Sequence, residues 1–319
     1  MTWLDRQSFL GPKSDEILNQ SRIGILGLGG GGSHVVQQLA YVGIGHFVIA
    51  DSDAISSTNL NRLVGGTQKD VKEGTSKVEI AKRLIKSINP AARVSGHIAE
   101  WQEVSDELRR CDIILGGLDS VRAKDEADAF CRRFMIPYID MGMDVFETSP
   151  GRFLISGQVV LTGPGQPCLR CLSIVTEEGL TDEAHQYGAA GGRPQVVWPN
   201  GLLASSAVGL VVQMLTPWNE LRNASAFLEY DGNRHELRPA DILRRKLGTP
   251  CPHYNEGAVG DPFFRLADLQ DSSLKPTKMK NSASSLPAAN VSVAADVSIF
   301  GRLKDTFLKT FFKSDEVER

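Results

Sequence analysis

Cysteine is scarce in this chain, five in 319 residues, and the N-terminus MTWLDRQSFLGPKSDEI carries charge where a secretion signal needs an apolar run. Together these shortages predict a cytoplasmic protein whose cysteines serve metal binding rather than a disulfide framework. An excess of one charge is also missing. Lys and Arg number 35 against 38 Asp and Glu, a net charge of -3, so the overall balance gives no reason to expect nucleic acid as a partner. Uninterrupted hydrophobic runs are missing too: the most apolar stretch, VVWPNGLLASSAVGLVVQML, is broken by Pro199 and Asn200 and reads as a buried helix rather than a membrane span. No internal repeat is present. What remains is ordinary globular composition, with 41% hydrophobic residues and enough length for a substantial core without staples.

Strand and helix signals alternate from about residue 22 to residue 160, which predicts an α/β fold with parallel strands covered by helices. IGILGL and HFVIADS read as strands with the helix SHVVQQLAYVG between them. A second unit follows: the helix KVEIAKRLIKSI ends at Asn89-Pro90, and the strands RVSGHIAE and CDIILGGLD come after it. KDEADAFCRRFM reads as a helix, PYIDMGM as a strand and RFLISGQVVLT as antiparallel strand material. The expected architecture is a Rossmann-like, doubly wound, mostly parallel sheet with an antiparallel C-terminal part. One domain is expected over residues 1–270, with a nucleotide-binding half at about 20–150 and a second half at about 151–270. Residues 271–298, rich in Ser, Ala, Lys and Pro, read as a disordered linker. Over 299–314, Ile299, Phe300, Leu303, Phe307, Phe311 and Phe312 recur at spacings of three and four, the pattern of a separate amphipathic helix. That helix would dock on its own domain, on a partner protein or on a membrane surface.

The sharpest feature is GLGGGG, five glycines in six residues between a strand and a helix. Gly27, Gly29 and Gly32 satisfy G-x-G-x-x-G, so backbone N–H groups and the helix N-terminus can approach a phosphate with no Cβ in the way. Packing alone would not recover the entropy that such a run costs. Asp51 ends the second strand at the distance where an acid meets ribose hydroxyls. Up to this point an NAD-dependent oxidoreductase fits equally well. The following stretch separates the candidates, because Asn59, Arg62 and Lys77 bring two cations where a triphosphate needs them and a nicotinamide cofactor does not.

GLGGGGS, the D-x-D of Asp51 and Asp53, NLNR at 59–62, GTSK ending at Lys77 and GGLDS around Asp119 together resemble the ThiF/MoeB/HesA superfamily, the adenylating enzymes related to ubiquitin-activating enzymes. The resemblance covers about residues 1–260. It implies that Gly27, Gly29, Gly30 and Gly32 contact ATP, that Asp51 holds the ribose, that Asn59, Arg62 and Lys77 hold the phosphates and that Asp119 positions Mg2+. Asp53 would support the loop rather than touch ligand. It also implies a homodimer in which an arginine near the N-terminus reaches the partner's ATP site; DRQ at 5–7 nominates Arg6.

Cys168 and Cys171 in PCLRC resemble the first half of the superfamily's structural zinc site. CPHY at 251–254 stands where a second CxxC is expected, but Tyr254 occupies the last ligand position, which leaves Cys251 with His253 as the nearest substitute. A Cys3His zinc site is chemically sound, and its role would be stabilisation. No cysteine falls between Leu172 and Asn200, where thioester-forming relatives carry a nucleophile; Cys111 and Cys131 read as buried small apolar residues. An acyl group would then stop at the adenylate, pass to a cysteine of another protein, or move to a hydroxyl such as Thr176 or Thr181. The expected reaction is ATP-dependent adenylation of the C-terminal glycine carboxylate of a ubiquitin-like or sulfur-carrier protein, with release of pyrophosphate. A conjugating enzyme recruited by the tail, and a small-molecule or tRNA-borne carboxylate as the alternative substrate, complete the expectations.

Overall fold

A computed structural model describes residues 3–185, 194–220, 224–254 and 260, all within a compact unit spanning Met1–Pro262. The linker and amphipathic helix expected after residue 270 lie outside the described residues. A 3-10 turn, Asp5–Leu10, precedes α1 (Ser14–Gln20), β1 (Arg22–Leu26), α2 (Gly30–Tyr41) and β2 (His46–Ala50). Then follow α3 (Gln68–Glu73), α4 (Lys77–Ile88), β3 (Arg93–His97), α5 (Ser105–Leu108), β4 (Ile113–Gly116), α6 (Val121–Arg133), β5 (Tyr138–Ser149) and β6 (Arg152–Thr162). The remaining elements are α7 (Glu177–His185), α8 (Val197–Leu215), β7 (Ala226–Asp231), β8 (Glu236–Pro239) and α9 (Asp241–Lys246).

Among the described residues all eight strands form one sheet in the order β3-β2-β1-β4-β5-β6-β7-β8. The first five are parallel, and β6, β7 and β8 extend the sheet antiparallel. Chain order reverses between β1 and β4, which opens a crevice at their C-terminal ends, the usual ligand position in such sheets. β1 and β4 are buried along nearly their whole length, as central parallel strands covered on both faces must be. α2, α4 and α8 pack together on one face. On the other, α6 lies over β4 and β5, and Trp101 meets Phe130 of α6 edge on at 5.7 Å.

Local chemistry sets the boundaries. Ser76 caps α4 by accepting the Glu79 amide at 3.1 Å, and the helix stops at Asn89 ahead of Pro90. α3 carries a full capping box, in which Thr67 and Asp70 satisfy each other's amides. α8 corrects one expectation: Pro199 does not interrupt it. Pro199 sits in its first turn, where the missing N–H has no intrahelical partner to lose. α8 is long and apolar enough to cross a bilayer by composition, yet it packs on α2 and against β5 and β6 as a core helix.

Candidate functional site

The loop between β1 and α2 closes the crevice from one side. Gly27 has φ +79°, and a Cβ there would stand 2.8 Å from the carbonyl oxygen of Gly117, at the end of β4. A Cβ on Gly32 would fall 1.9 Å from the Gly27 carbonyl oxygen, and one on Gly30 would fall 2.6 Å from Asn200 Nδ2 of α8. Gly27 and Gly32 are demanded by backbone packing of the loop on itself and beside β4, whereas at Gly30 the neighbour is the Asn200 side chain. Gly29 differs: a Cβ there would meet nothing within 4 Å. The backbone at Gly29 is the part of the turn left open to a ligand, next to the amides that begin α2.

Asp51 follows β2 and ties the loop down, its Oδ2 accepting the Leu28 amide at 2.6 Å and its Oδ1 the Asp53 amide at 2.9 Å. Lys77, buried at the first position of α4, lays its Nζ 3.3 Å from Asp51 Oδ1 and 2.7 Å from Asp53 Oδ2. Burial opposes charge on Lys77, but Asp51 and Asp53 outweigh it and raise its pKa above the ordinary value. Asp53 therefore supports a cation directly, a finer role than loop support. Asn59 Oδ1 accepts the Ser56 amide at 3.0 Å and its carbonyl accepts the Arg62 amide at 3.2 Å, so it builds the turn that presents Arg62. Arg62 Nη1 donates to the Thr58 carbonyl at 2.8 Å; burial lowers its pKa, and the field of Asp119 opposes that. Asp119 is exposed and immediately precedes Ser120, the N-cap of α6. Glycine loop, Asp51, Lys77, Arg62 and Asp119 thus gather around the end of the β1–β4 crevice.

The second cluster lies beyond β6. Sγ of Cys251 stands 3.5 Å from Sγ of Cys168 and 3.6 Å from Sγ of Cys171. His253 Nδ1 is 3.3, 3.4 and 3.9 Å from Cys168, Cys171 and Cys251. Zinc–sulfur bonds of about 2.3 Å in a tetrahedron give edges of about 3.8 Å, so the four donors suit zinc. His253 completes the set in place of Tyr254. Tyr254 instead packs under the guanidinium of Arg132, 5.2 Å from its ring centre.

The ThiF family model matches residues 4–252. The chain belongs to the ThiF family. Relatives of this ThiF-family chain include the SAMP-activating enzyme E1 of Haloferax volcanii, 30% identical over 205 residues, 61% of this chain and 72% of the relative. The sulfur carrier protein ThiS adenylyltransferase of Escherichia coli is 29% identical over 237 residues, 73% and 86% of the two chains. The tRNA threonylcarbamoyladenosine dehydratase of Haemophilus influenzae is 33% identical over 148 residues, 46% and 56% of the two chains. Among solved structures, E. coli MccB with ATP superposes with a TM-score of 0.62 at 21% identity, covering 79% of this chain and 74% of that one. That likeness is one of fold.

In the ThiF-family chain Arg6 stands apart from the glycine loop. Its neighbour Gln7 donates to the Val42 carbonyl at 3.1 Å, just past the C-terminal end of α2, and Leu4 packs at Gly43. α2 has 12 residues, so about 18 Å of helix separates this region from Gly30. The hydroxyls of Thr176 and Thr181 are both engaged at α7: Thr176, just before the helix, accepts the Gly179 amide on Oγ1 at 3.0 Å, and Thr181 Oγ1 donates to the Glu177 carbonyl at 2.8 Å. Cys111 and Cys131 are buried; burial pushes the Cys111 thiol to about 12 and the Cys131 thiol well above its ordinary value, so both stay neutral.

Sequence reading missed the charges inside α6. Lys124 Nζ is 2.8 Å from both Asp140 oxygens, with the Met141 carbonyl at 3.0 Å. Arg132 pairs with Asp128 and donates to the carbonyls of Gly163, Gln166 and Pro167, while Asp128 accepts the Leu169 amide. The only available signal was a Lys, an Asp and an Arg four residues apart on one helix, a spacing that reads equally well as a solvated face.

Proposed function

We propose that this protein activates a carboxylate with MgATP, releasing pyrophosphate and leaving an acyl adenylate, and that the carboxylate is the C-terminal glycine of a ubiquitin-like or sulfur-carrier protein. The observation that carries this reading is the meeting of an open glycine backbone with Lys77, Arg62, Asp51 and Asp119 at one crevice of a ThiF-family fold. The names of the Haloferax and E. coli relatives supply the substrate class.

A carboxylate cannot expel oxide, so it must be joined to a phosphate before a nucleophile can displace it. The approach brings an anion to a polyanion, and the barrier is largely electrostatic. In this reading Asp51 accepts ribose hydroxyls, Gly29 and the first amides of α2 receive a phosphate, and Asn59 holds the turn bearing Arg62. Lys77 turns from Asp51 and Asp53 to the phosphates while Asp53 keeps its charge in place. Asp119 would hold Mg2+, which supplies further neutralisation of the departing pyrophosphate. Arg6 would come from a second copy of the chain. Catalysis is then positioning and charge neutralisation, with no covalent step on the chain itself. Zinc held by Cys168, Cys171, Cys251 and His253 would brace the second half of the domain, in a cytoplasm that keeps thiols reduced.

Exchange of labelled pyrophosphate into ATP tests the reading. Exchange that depends on an added carrier protein ending in glycine and is lost in Asp119→Ala supports it; exchange driven only by a small acid or by tRNA moves the substrate to the alternative class. No exchange with any carboxylate defeats the proposal.

A further inference from the structure

Arg170 lies between Cys168 and Cys171, half-buried, with its guanidinium engaged on two helices. Its Nε and Nη2 make a two-pronged contact with Asp125 of α6 at 2.8 and 2.7 Å, and its Nη1 meets Glu177 of α7 at 2.6 Å. The neighbouring Leu169 amide donates to Asp128 of the same helix at 2.8 Å. Two consecutive residues of the cysteine turn are therefore fixed to α6 at positions three apart, on one helical face. α7 returns the contact, because Glu183 accepts the Arg122 amide at 2.9 Å in the first turn of α6.

The other end of α6 is the nucleotide crevice. Ser120 caps the helix through the Ala123 amide at 3.0 Å, Asp119 directly precedes it, and Gly117 is wedged between the Gly27 carbonyl and Gly32. A shift of α6 along its axis would carry Asp119 relative to Arg62, whose charge it faces, while Gly117 two residues earlier is packed against the glycine loop.

We infer that Arg170 is a positioning residue, tying the Cys3His centre to α6 and α7 so that metal occupancy sets where Asp119 stands in the crevice. The geometric part rests on the contacts above; the catalytic consequence rests on the adenylation reading. A bidentate arginine–carboxylate pair is directional enough to hold a helix in register, which a lysine at the same place would do only in part.

The experiment uses the full-length chain with zinc bound and compares wild type with Arg170→Met, Arg170→Lys and Asp125→Asn. Metal content, amide hydrogen exchange over residues 117–126 and the Mg2+ dependence of pyrophosphate exchange are measured on each. Arg170→Met is expected to keep its zinc while amides 121–126 exchange at least tenfold faster and the Mg2+ needed for half-maximal rate rises at least threefold. Asp125→Asn should reproduce this from the helix side, and Arg170→Lys should restore part of it. Chelating zinc from wild type should speed the same amides, and chelation from Arg170→Met should add little. Zinc-loaded Arg170→Met with wild-type protection over 121–126 overturns the inference, as does loss of zinc from that variant, since the arginine would then serve the centre rather than relay it. If wild type catalyses no pyrophosphate exchange, the adenylation reading fails while hydrogen exchange still decides the tether.

Discussion

Gly29 and Gly32 stand in one turn, yet a methyl group added to each meets opposite surroundings. At Gly32 it would strike the Gly27 carbonyl at 1.9 Å, backbone against backbone, with nothing flexible to yield. Gly32→Ala should therefore destabilise the fold by about 3 kcal/mol, the upper end of the cost of overpacking, read as a fall in the denaturant midpoint at constant slope. At Gly29 there is no atom to strike. Gly29→Ala should fold with a melting temperature close to wild type, but its methyl occupies the face a phosphate must approach. ATP affinity by calorimetry should fall at least tenfold, about 1.4 kcal/mol. Equal affinity in Gly29→Ala and wild type would remove the phosphate from this turn. The pattern G-x-G-x-x-G located the turn, but it does not say which glycine serves packing and which serves a ligand; that depends on Gly117 and Asn200, distant in sequence.

α6 shows how far a helical pattern carries. Its place after the CDIILGGLD strand was expected, over 124–135 against the observed Val121–Arg133, but the pattern carries no sign that its charges are buried, because burial of Lys124, Asp128 and Arg132 is decided by Asp140 and by the carbonyls of Gly163, Gln166 and Pro167 across the fold. Removing one member strands the other: Lys124→Met should cost about 3–5 kcal/mol, whereas Lys124→Met with Asp140→Leu should recover most of it. Two singles that simply add would show that the pair is not coupled. α3 offers a different test. Asp70 is buried, and hydrogen bonds from Arg83 first and Thr67 second hold its carboxyl well below the usual carboxylate range. A depressed pKa contributes stability above the unfolded value of about 3.9, and that contribution is lost as pH falls through the folded value. Asp70→Asn should then be less stable by about 1–3 kcal/mol at pH 7, with the gap between the two melting curves narrowing as the pH is taken below 4. No helix was expected over residues 68–73, and Arg83, which dominates the shift, is on the next helix.

At the scale of the molecule, β3 to β6 were expected from alternating strand and helix signals, whereas the zinc donors and the cations proposed for phosphate were implied by the family resemblance; the structure brings Cys168, Cys171, Cys251 and His253 within 4.8 Å of one another. What spacing does not give is which chain completes the site. Arg6 lies beside the far end of α2, about one helix length from Gly30, so in the proposed reaction it would serve a crevice only as part of a second copy. In the proposed two-fold dimer that arrangement would be reciprocal. Arg6→Ala and Asp119→Ala should each be inactive alone in pyrophosphate exchange. When equal amounts are mixed and allowed to exchange subunits, about half of the dimers pair one chain of each kind. In every such dimer one crevice joins the intact Asp119 of the first chain to the intact Arg6 of the second, and the other crevice lacks both. Activity should return to about one quarter of wild type, growing at the rate of subunit exchange. If Arg6 acted within its own chain, each crevice in the mixed dimer would still lack one residue and no activity would return.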